Sequence, residues 1–384
     1  MDSHPFPIAR IGIIGGGQLG RMMVKAAKRL GCTCVVLDPT PGSPAGQVAG
    51  HQIVGGFHDP ARLRELVEST DVTTFDIEDI DTEVLIELEG EGHRIHPSPH
   101  VLAVIQDKLT QKRLLQESGI PTAAFVAADG DLEAAFADFG YPLVQKARRG
   151  GYDGRGVSVL RSAADLGRRL PVPSYLERFV AARKEIAVLV ARAADGETRC
   201  YPVVEMIFRA ADNVLDLLLA PAEIPPEVAE AAAEIAVRTA RAFGAVGVIG
   251  VEMFLTADDR ILVNEVAPRT HNSGHYTIEA CMTDQFEQHL RAVIGLPLGA
   301  TDLISPAAMI NLLGAPGHFG RPVIKGLEAA LAIPGVNLHI YGKATTRPLR
   351  KMGHVTVLDR DVSAARSKAE RVRELMAITG EDHP

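Results

Sequence analysis

Val251-Glu252-Met253-Phe254 and, one short turn later, Val263-Asn264-Glu265-Val266-Ala267-Pro268-Arg269-Thr270-His271-Asn272-Ser273-Gly274-His275 decide how this chain is read. Both apolar runs have the residue types of β-strands, and their separation is that of a hairpin. Each run therefore delivers a carboxylate, Glu252 or Glu265, to the same point. Arg269, His271, Asn272 and His275 follow at once, with no hydrophobic period that would make them a core face. Paired carboxylates beside Arg and Asn suit a magnesium-bound triphosphate, because hard cations take oxygen ligands and share them with phosphates. Such a segment is a site, not a scaffold.

Outward from this segment, the chain has 384 residues, 46% of them hydrophobic, enough for two or three domains with real cores. A net charge of −8 argues against general binding to nucleic acid or an anionic membrane. Cys32, Cys34, Cys200 and Cys281 show no disulfide framework or zinc spacing, so they are expected as reduced thiols. The N-terminus lacks a secretory signal and no apolar run is long enough to span a bilayer, which points to a soluble, cytoplasmic protein.

Residues 8–15 read as a strand broken by Gly15-Gly16-Gly17, followed by a helix with Leu19, Met23, Ala26, Ala27 and Leu30 on one face. Strands over Cys32–Leu37 and Val72–Ile77 continue the alternation, which predicts a parallel sheet with crossover helices. Asp107–Ser118 reads as a polar helix, and a smaller α/β unit runs to about residue 184. From Ile186 strands dominate, apart from a helix over Pro226–Phe243 capped by Gly244. A charged helix near Ala364–Met376 closes the chain.

Gly15-x-Gly17-x-x-Gly20 with Asp38 beyond the next strand matches a dinucleotide fingerprint, yet glycines there also simply permit a tight strand-to-helix turn. Arg149-Gly150-Gly151-Tyr152-Asp153-Gly154-Arg155-Gly156 could cradle phosphates or be a hairpin tip. Lys146, closing the strand before it, favours a phosphate lid. Glu177 and Glu185 flank a strand end, where they could accept from an adenine amine and ribose hydroxyls or form a solvated surface pair. Glu205 lies within an apolar run and should have a partner. Lys343 and Arg347-Pro348-Leu349-Arg350-Lys351-Met352-Gly353-His354 suit a phosphate monoester or a charged turn. His51, His58, His93 and His100 show no metal-ligand spacing.

Taken in order, these segments, with Thr74-Phe75-Asp76-Ile77-Glu78 and Gln106-Asp107-Lys108, resemble the ATP-grasp ligases, specifically the branch that carboxylates aminoimidazole ribonucleotide in purine biosynthesis. The resemblance covers nearly the whole chain. It implies an α/β and α+β chain with an ATP-grasp fold. A Rossmann-like parallel-sheet domain would span 1–105 and a small lid domain 106–184. A larger antiparallel-sheet domain with the magnesium site would span 185–315, and a small C-terminal unit 316–384. It implies ATP with two magnesium ions, bicarbonate and aminoimidazole ribonucleotide as ligands, carboxyphosphate as intermediate, and a homodimer.

By the same resemblance, Lys108 and Lys146 hold the phosphates of ATP, with Asn264 beside them, and Gly151, Tyr152, Asp153, Gly154, Arg155 and Gly156 form the closing loop. Glu177, Arg178, Phe179 and Val180 line the adenine pocket and Glu185 takes the ribose. Glu252 and Glu265 bind magnesium. Arg269, with Asp153 and Arg155, is catalytic. Gln18, Leu19, Glu78, Tyr152, Arg155, Asn272, Ser273 and His275 surround the ribonucleotide, whose phosphate meets Lys343, Arg350 and Lys351. Asp76 and Asp79 depart from a common Glu and His, Met206 and Phe208 from Asn and a nucleotide-contacting His, Thr270 from Pro and Leu349 from Gly. The alternatives are a formate-using ATP-grasp ligase acting on glycinamide ribonucleotide, a dinucleotide-dependent oxidoreductase, and a non-catalytic nucleotide-binding protein.

Overall fold

The structure, a computed structural model, describes residues 6–128, 132–151, 156–209 and 214–382. It begins with β1 (Arg10–Ile14), α1 (Gln18–Arg29), β2 (Thr33–Asp38), β3 (His51–Val54), α2 (Pro60–Glu68) and β4 (Val72–Phe75). The four strands pair in parallel in the order β3-β2-β1-β4. Alternation along β1 sends Ile11 and Ile13 to the α1 core and Ile14 to the α2 core, so both faces are covered. Then come α3 (Thr82–Gly90), α4 (Pro99–Gln106), with Pro99 in its first turn, and α5 (Lys108–Glu117). Asp107 caps α5, accepting from the amides of Leu109 and Thr110.

The lid comprises β5 (Phe125–Ala127), α6 (Leu132–Phe139), β6 (Leu143–Ala147), β7 (Val157–Leu160) and β8 (Ser174–Arg178). Its sheet is antiparallel, ordered β5-β8-β6-β7, over a core of Phe136, Leu143, Leu160 and Leu176.

The large sheet is built from β9 (Ala182–Arg192), β10 (Thr198–Cys200), β11 (Val204–Arg209), β12 (Val214–Ala220), α7 (Pro226–Phe243), β13 (Gly247–Thr256), β14 (Ile261–Ala267), α8 (Thr277–Ala280), α9 (Gln285–Ile294) and β15 (Ala307–Leu313). Helix α7 buries Val228, Ala232, Ala236 and Ala240 against Val188, Val190, Ile249 and Val251, and Gly244 at φ 65° ends it. The opposite parity, which includes Glu252, is left to the other face. Helix α9, absent from the sequence reading, carries Phe286, Leu290 and Val293 into the α1 core and so docks the N-terminal sheet on the large one.

The chain ends with β16 (Phe319–Lys325), α10 (Leu327–Leu331), β17 (Val336–Ile340), β18 (Lys351–Leu358), α11 (Val362–Leu375) and β19 (Ala377–Asp382). A division at residue 316 does not separate two sheets. β15 pairs with both β12 and β18, so the main path runs β14-β13-β9-β11-β12-β15-β18-β17 with β10 on β9, and of the described terminal strands β16 and β19 form a separate pair. Met309 to Leu313 lie in this largely buried strand. Among the described residues no helix is long and apolar enough to cross a membrane, and the four cysteines are free.

Candidate active site

Glu252 and Glu265 are direct cross-strand partners, with a register irregularity immediately after Glu252 that re-aims the strand. Burial and the like charges of Glu265 and Glu185 push Glu252 up to about 8. Glu265 goes the other way. Burial would raise it, but the Lys108 ammonium, in contact with its Oε1, outweighs this and holds it below the usual carboxylate range. Its side chain is nonetheless 42% exposed, so the pair forms the floor of an open cleft. His271 Nε2 lies 3.3 Å from Glu252 Oε1. Two carboxylates in register, one of them pushed upward by burial and like charge, form a donor set that fits a magnesium ion with open positions.

Above this floor stands the lid. Lys146 Nζ donates to Asn264 Oδ1 at 2.8 Å and lies 2.5 Å from Glu177 Oε2. Lys108 is fixed through its own backbone, whose amide donates to the Arg148 carbonyl at 2.8 Å. Arg148 in turn grips the Asp107 carboxylate with Nε and Nη2, the latter at 2.5 Å. Burial alone would raise Asp107, and Arg148 brings it below its usual value. Gln106 spans to the neighbouring loop by donating to the carbonyls of Glu78 and Ile80 at 2.8 and 2.7 Å. Thus the Gln106-Asp107-Lys108 segment joins the ends of three sheets.

The expected adenine pocket is only partly as read. Glu177 is neither a surface acid nor free for an amine: it is 2% exposed and gripped by Lys112 and Lys146. Burial would raise it, and the two lysines pull it below its usual value. Arg178 turns away, its guanidinium 4.7 Å over the Phe139 ring and donating to the Phe139 carbonyl at 2.8 Å. Phe179 stays exposed and Val180 half-exposed, while burial raises Glu185. Met206 lies directly opposite Glu185 in the β9–β11 register, on the same face. Glu205 has its partner, Lys184, at 2.5 Å. Gly151 and Gly156 flank the glycine loop, whereas Tyr152, Asp153, Gly154 and Arg155 lie outside the described residues.

On the acceptor side, Arg269 pairs with Glu78 at 3.0 Å and donates to the Thr270 carbonyl, and its buried Nε has no acceptor among the described residues. Gln18, Glu78, Asn272, Lys343, Arg350 and Lys351 are half-exposed. The Lys351 charge opposes the rise of Glu252 and adds to the fall that burial imposes on His275. Three expected contacts are instead internal. Leu19 belongs to the α1 core, where Tyr341 also packs. Ser273 is fully buried, with Oγ 2.8 Å from His271 Nδ1. His275 is 1% exposed and stacks at 4.5 Å on His354, which stacks at 4.4 Å on His339. Burial holds His275 and His354 well below the usual histidine value. The short turn over Asn272–Gly274 tucks these groups behind the ligand-facing surface.

The glycine fingerprint holds carboxylates of the protein itself. Gly16 N–H donates to Asp38 Oδ2 at 2.8 Å, and Gly20 N–H to Asp76 Oδ2 at 2.9 Å. A Cβ on Gly15 would stand 1.7 Å from Asp76 Oδ1 and one on Gly20 2.6 Å from the Gly15 carbonyl oxygen. The amides that a pyrophosphate would use are taken, so the dinucleotide reading falls and the tight turn accounts for the glycines. Sequence reasoning missed Lys112. Its one signal was its place four residues after Lys108, on the same helical face.

Known proteins bear on this geometry. Residues 8–106 match the ribonucleotide synthetase preATP-grasp domain, 113–286 the ATP-grasp domain and 307–368 the phosphoribosylaminoimidazole carboxylase C-terminal domain. The N5-carboxyaminoimidazole ribonucleotide synthase of Synechococcus elongatus is 41% identical, covering 97% of this chain and 94% of that protein. The crystal structure of N5-carboxyaminoimidazole ribonucleotide synthetase from Thermotoga maritima is similar at a TM-score of 0.90 and 52% identity, covering 97% of this chain and all (100%) of that one. The Aspergillus clavatus synthase, crystallised with ADP and 5-aminoimidazole ribonucleotide, gives 0.88 and 35% over 96% of this chain and 98% of its own. The chain belongs to the N5-carboxyaminoimidazole ribonucleotide synthase family of ATP-grasp ligases.

Proposed function

We propose that this enzyme uses ATP and bicarbonate to carboxylate the exocyclic amine of 5-aminoimidazole ribonucleotide, releasing ADP and phosphate. In the first step a bicarbonate oxygen attacks the γ-phosphorus, the bond to the ADP oxygen breaks and carboxyphosphate forms. The amine then captures the carboxyl carbon, directly or as released carbon dioxide. The carbon–oxygen bond to phosphate breaks and the amine loses a proton. The observation that carries this reading is the in-register pair Glu252 and Glu265, with the Lys108 ammonium on Glu265 and the Lys351 charge bearing on Glu252.

Glu252 and Glu265 would hold magnesium, which when bound neutralises charge on the transferring phosphoryl group. Lys108 and Lys146 orient the phosphates. Lys146 has two of its three donors engaged, leaving one for the cleft. Phe179 and Val180 cover the adenine and Glu185 takes the ribose. Arg269, its side chain 20% exposed, offers its guanidinium to the developing oxyanion, the kind of preorganised donor that contributes most in acyl and phosphoryl transfer. Gln18, Glu78 and Asn272 orient the acceptor base, and Lys343, Arg350 and Lys351 its phosphate. The loop from Gly151 to Gly156, with Tyr152, Asp153 and Arg155, excludes water from carboxyphosphate. A homodimer, bicarbonate as the carbon source and a cytoplasmic location belong to the same proposal; sedimentation tests the first.

Phosphate release measured with ATP, magnesium, bicarbonate and aminoimidazole ribonucleotide tests the reaction. Release should depend on the ribonucleotide and on bicarbonate. Release that instead needs formate and glycinamide ribonucleotide would assign the chain to the other ligase chemistry.

A further inference from the structure

Lys112 is 1% exposed and makes no contact with the cleft, yet it sits at the centre of a closed ring of polar contacts. Its ammonium donates to Thr122 Oγ1 and Glu177 Oε1, both at 2.6 Å, and to the Val263 carbonyl at 3.2 Å. All three of its donors are used. The other oxygen of Glu177 meets Lys146, Lys146 donates to Asn264, and Asn264 follows Val263 along β14. Four elements (α5, β8, β6 and β14) thus close one circuit behind the carboxylate floor. The same point stitches lid to large sheet, because Thr122 Oγ1 donates to the Val263 carbonyl at 2.7 Å and the Val263 amide to the Pro121 carbonyl at 2.8 Å.

Charge explains why a second lysine is needed. A buried carboxylate facing Lys146 alone would cancel its ammonium, leaving a neutral pair where an anionic triphosphate must bind. With Lys112 the cluster holds two ammonium groups and one carboxylate, a net charge of +1 directed to Lys146, which among the described residues has two of its three donors engaged. We propose that Lys112 is a positioning residue for the nucleotide, neutralising Glu177 so that Lys146 presents its charge to the phosphates while the lid stays registered on β14. This rests on the reading that the cleft takes ATP. Burial draws Lys112 down to about 8 against the pull of Glu177, which keeps it mostly charged at neutral pH.

The test measures ADP–magnesium affinity by calorimetry, with steady-state kinetics and unfolding midpoints, for the wild type, Lys112→Met, and Lys112→Met with Glu177→Gln. Lys112→Met should weaken ADP–magnesium by about 10- to 100-fold, the effect of losing one charged hydrogen-bonding partner. KM for ATP should rise while KM for the ribonucleotide holds. The double variant restores the net charge of +1 and should bind within about threefold of wild type. A purely structural lysine would leave the double variant no tighter than Lys112→Met, and that result overturns the inference, as does a folded Lys112→Met that binds like wild type. Should Lys112→Met fail to fold, the double variant decides alone, because it carries no carboxylate to satisfy; a loss beyond about tenfold counts against the inference. A wild type that does not bind ADP–magnesium overturns the nucleotide reading itself, and this inference with it.

Discussion

Asp76, an aspartate where the resemblance has a glutamate, should make the enzyme less stable at neutral than at acid pH, and replacing it with asparagine should remove that loss. Its carboxylate is buried, with Oδ2 accepting from the Gly20 amide at 2.9 Å at the start of α1. Burial raises it from 3.8 to about 6, against the opposing pull of the Gly20 amide and Arg269. A carboxyl whose folded-state value is raised stabilises the fold while protonated. That stability is fully present below the unfolded value, falls as pH rises between about 4 and 6, and stays lost above. A shift of about two units costs about 3 kcal/mol at pH 7.5 and, by the same relation, about 1 kcal/mol at pH 4.5. Asp76→Asn keeps an oxygen for the Gly20 amide but cannot ionise. Relative to wild type it should therefore gain about 2 kcal/mol between pH 4.5 and 7.5, a few degrees in Tm for a chain of this size. Differential scanning calorimetry of both proteins at the two pH values reads the double difference. A difference of zero, or one that grows towards acid pH, would refute the burial argument.

Glu265→Gln should lower ribonucleotide-dependent phosphate release at least ~100-fold with circular dichroism unchanged, because it removes half of the carboxylate pair; a loss under tenfold would remove Glu265 from the proposed chemistry. Leu349 holds φ at 65°, the left-handed region, and is 40% exposed, so Leu349→Gly relieves strain while losing little packing. It should raise stability by about 0.5–1 kcal/mol, and a drop in Tm would count against it. Ser273→Ala removes the hydroxyl beside His271 Nδ1 but keeps the Ser273 amide that donates to it at 3.3 Å. It should reduce kcat/KM for the ribonucleotide about tenfold, the effect of losing one buried hydrogen bond, and unchanged kinetics would refute a role for that hydroxyl.

Much of this was legible because strand alternation and hairpin spacing act locally. Glu252 and Glu265 were expected at one point and are paired in register, and helix α7 was read with its cap. The left-handed turn at Leu349 was visible only as an unusual residue. Long-range assembly was not legible. Nothing local tells that β15 links the large sheet to the terminal strands, since an apolar run is buried whichever strands flank it. Glu177 looks like any acid near a strand end until α5 delivers Lys112 from 65 positions away. Ser273 and His275 carry the residue types of a ligand contact, yet both are buried, His275 under a C-terminal strand that brings His354 onto its ring. Polar residues reveal that a site exists; which of them face the ligand is fixed by packing.

His271 shows how the two halves of the cleft become one. A Cβ on Gly250 would stand 2.9 Å from the His271 Cβ, so the absence of a side chain on β13 lets the histidine lie against the sheet. From there Nε2 faces Glu252 at 3.3 Å and Nδ1 meets Ser273 Oγ at 2.8 Å. The Gln285 side chain fixes the backbone on both sides, accepting from the His271 amide at 2.8 Å and donating to its carbonyl at 2.7 Å. Gln285 opens α9, the helix that docks the N-terminal sheet, and with it the Gln18 and Glu78 loops, on the large sheet. One ring therefore touches the carboxylate floor and is braced by the element that positions the acceptor side. Such a joint matters for a reaction whose intermediate must pass from one substrate to the other without meeting water, because the geometry of both halves is then fixed by the same few atoms.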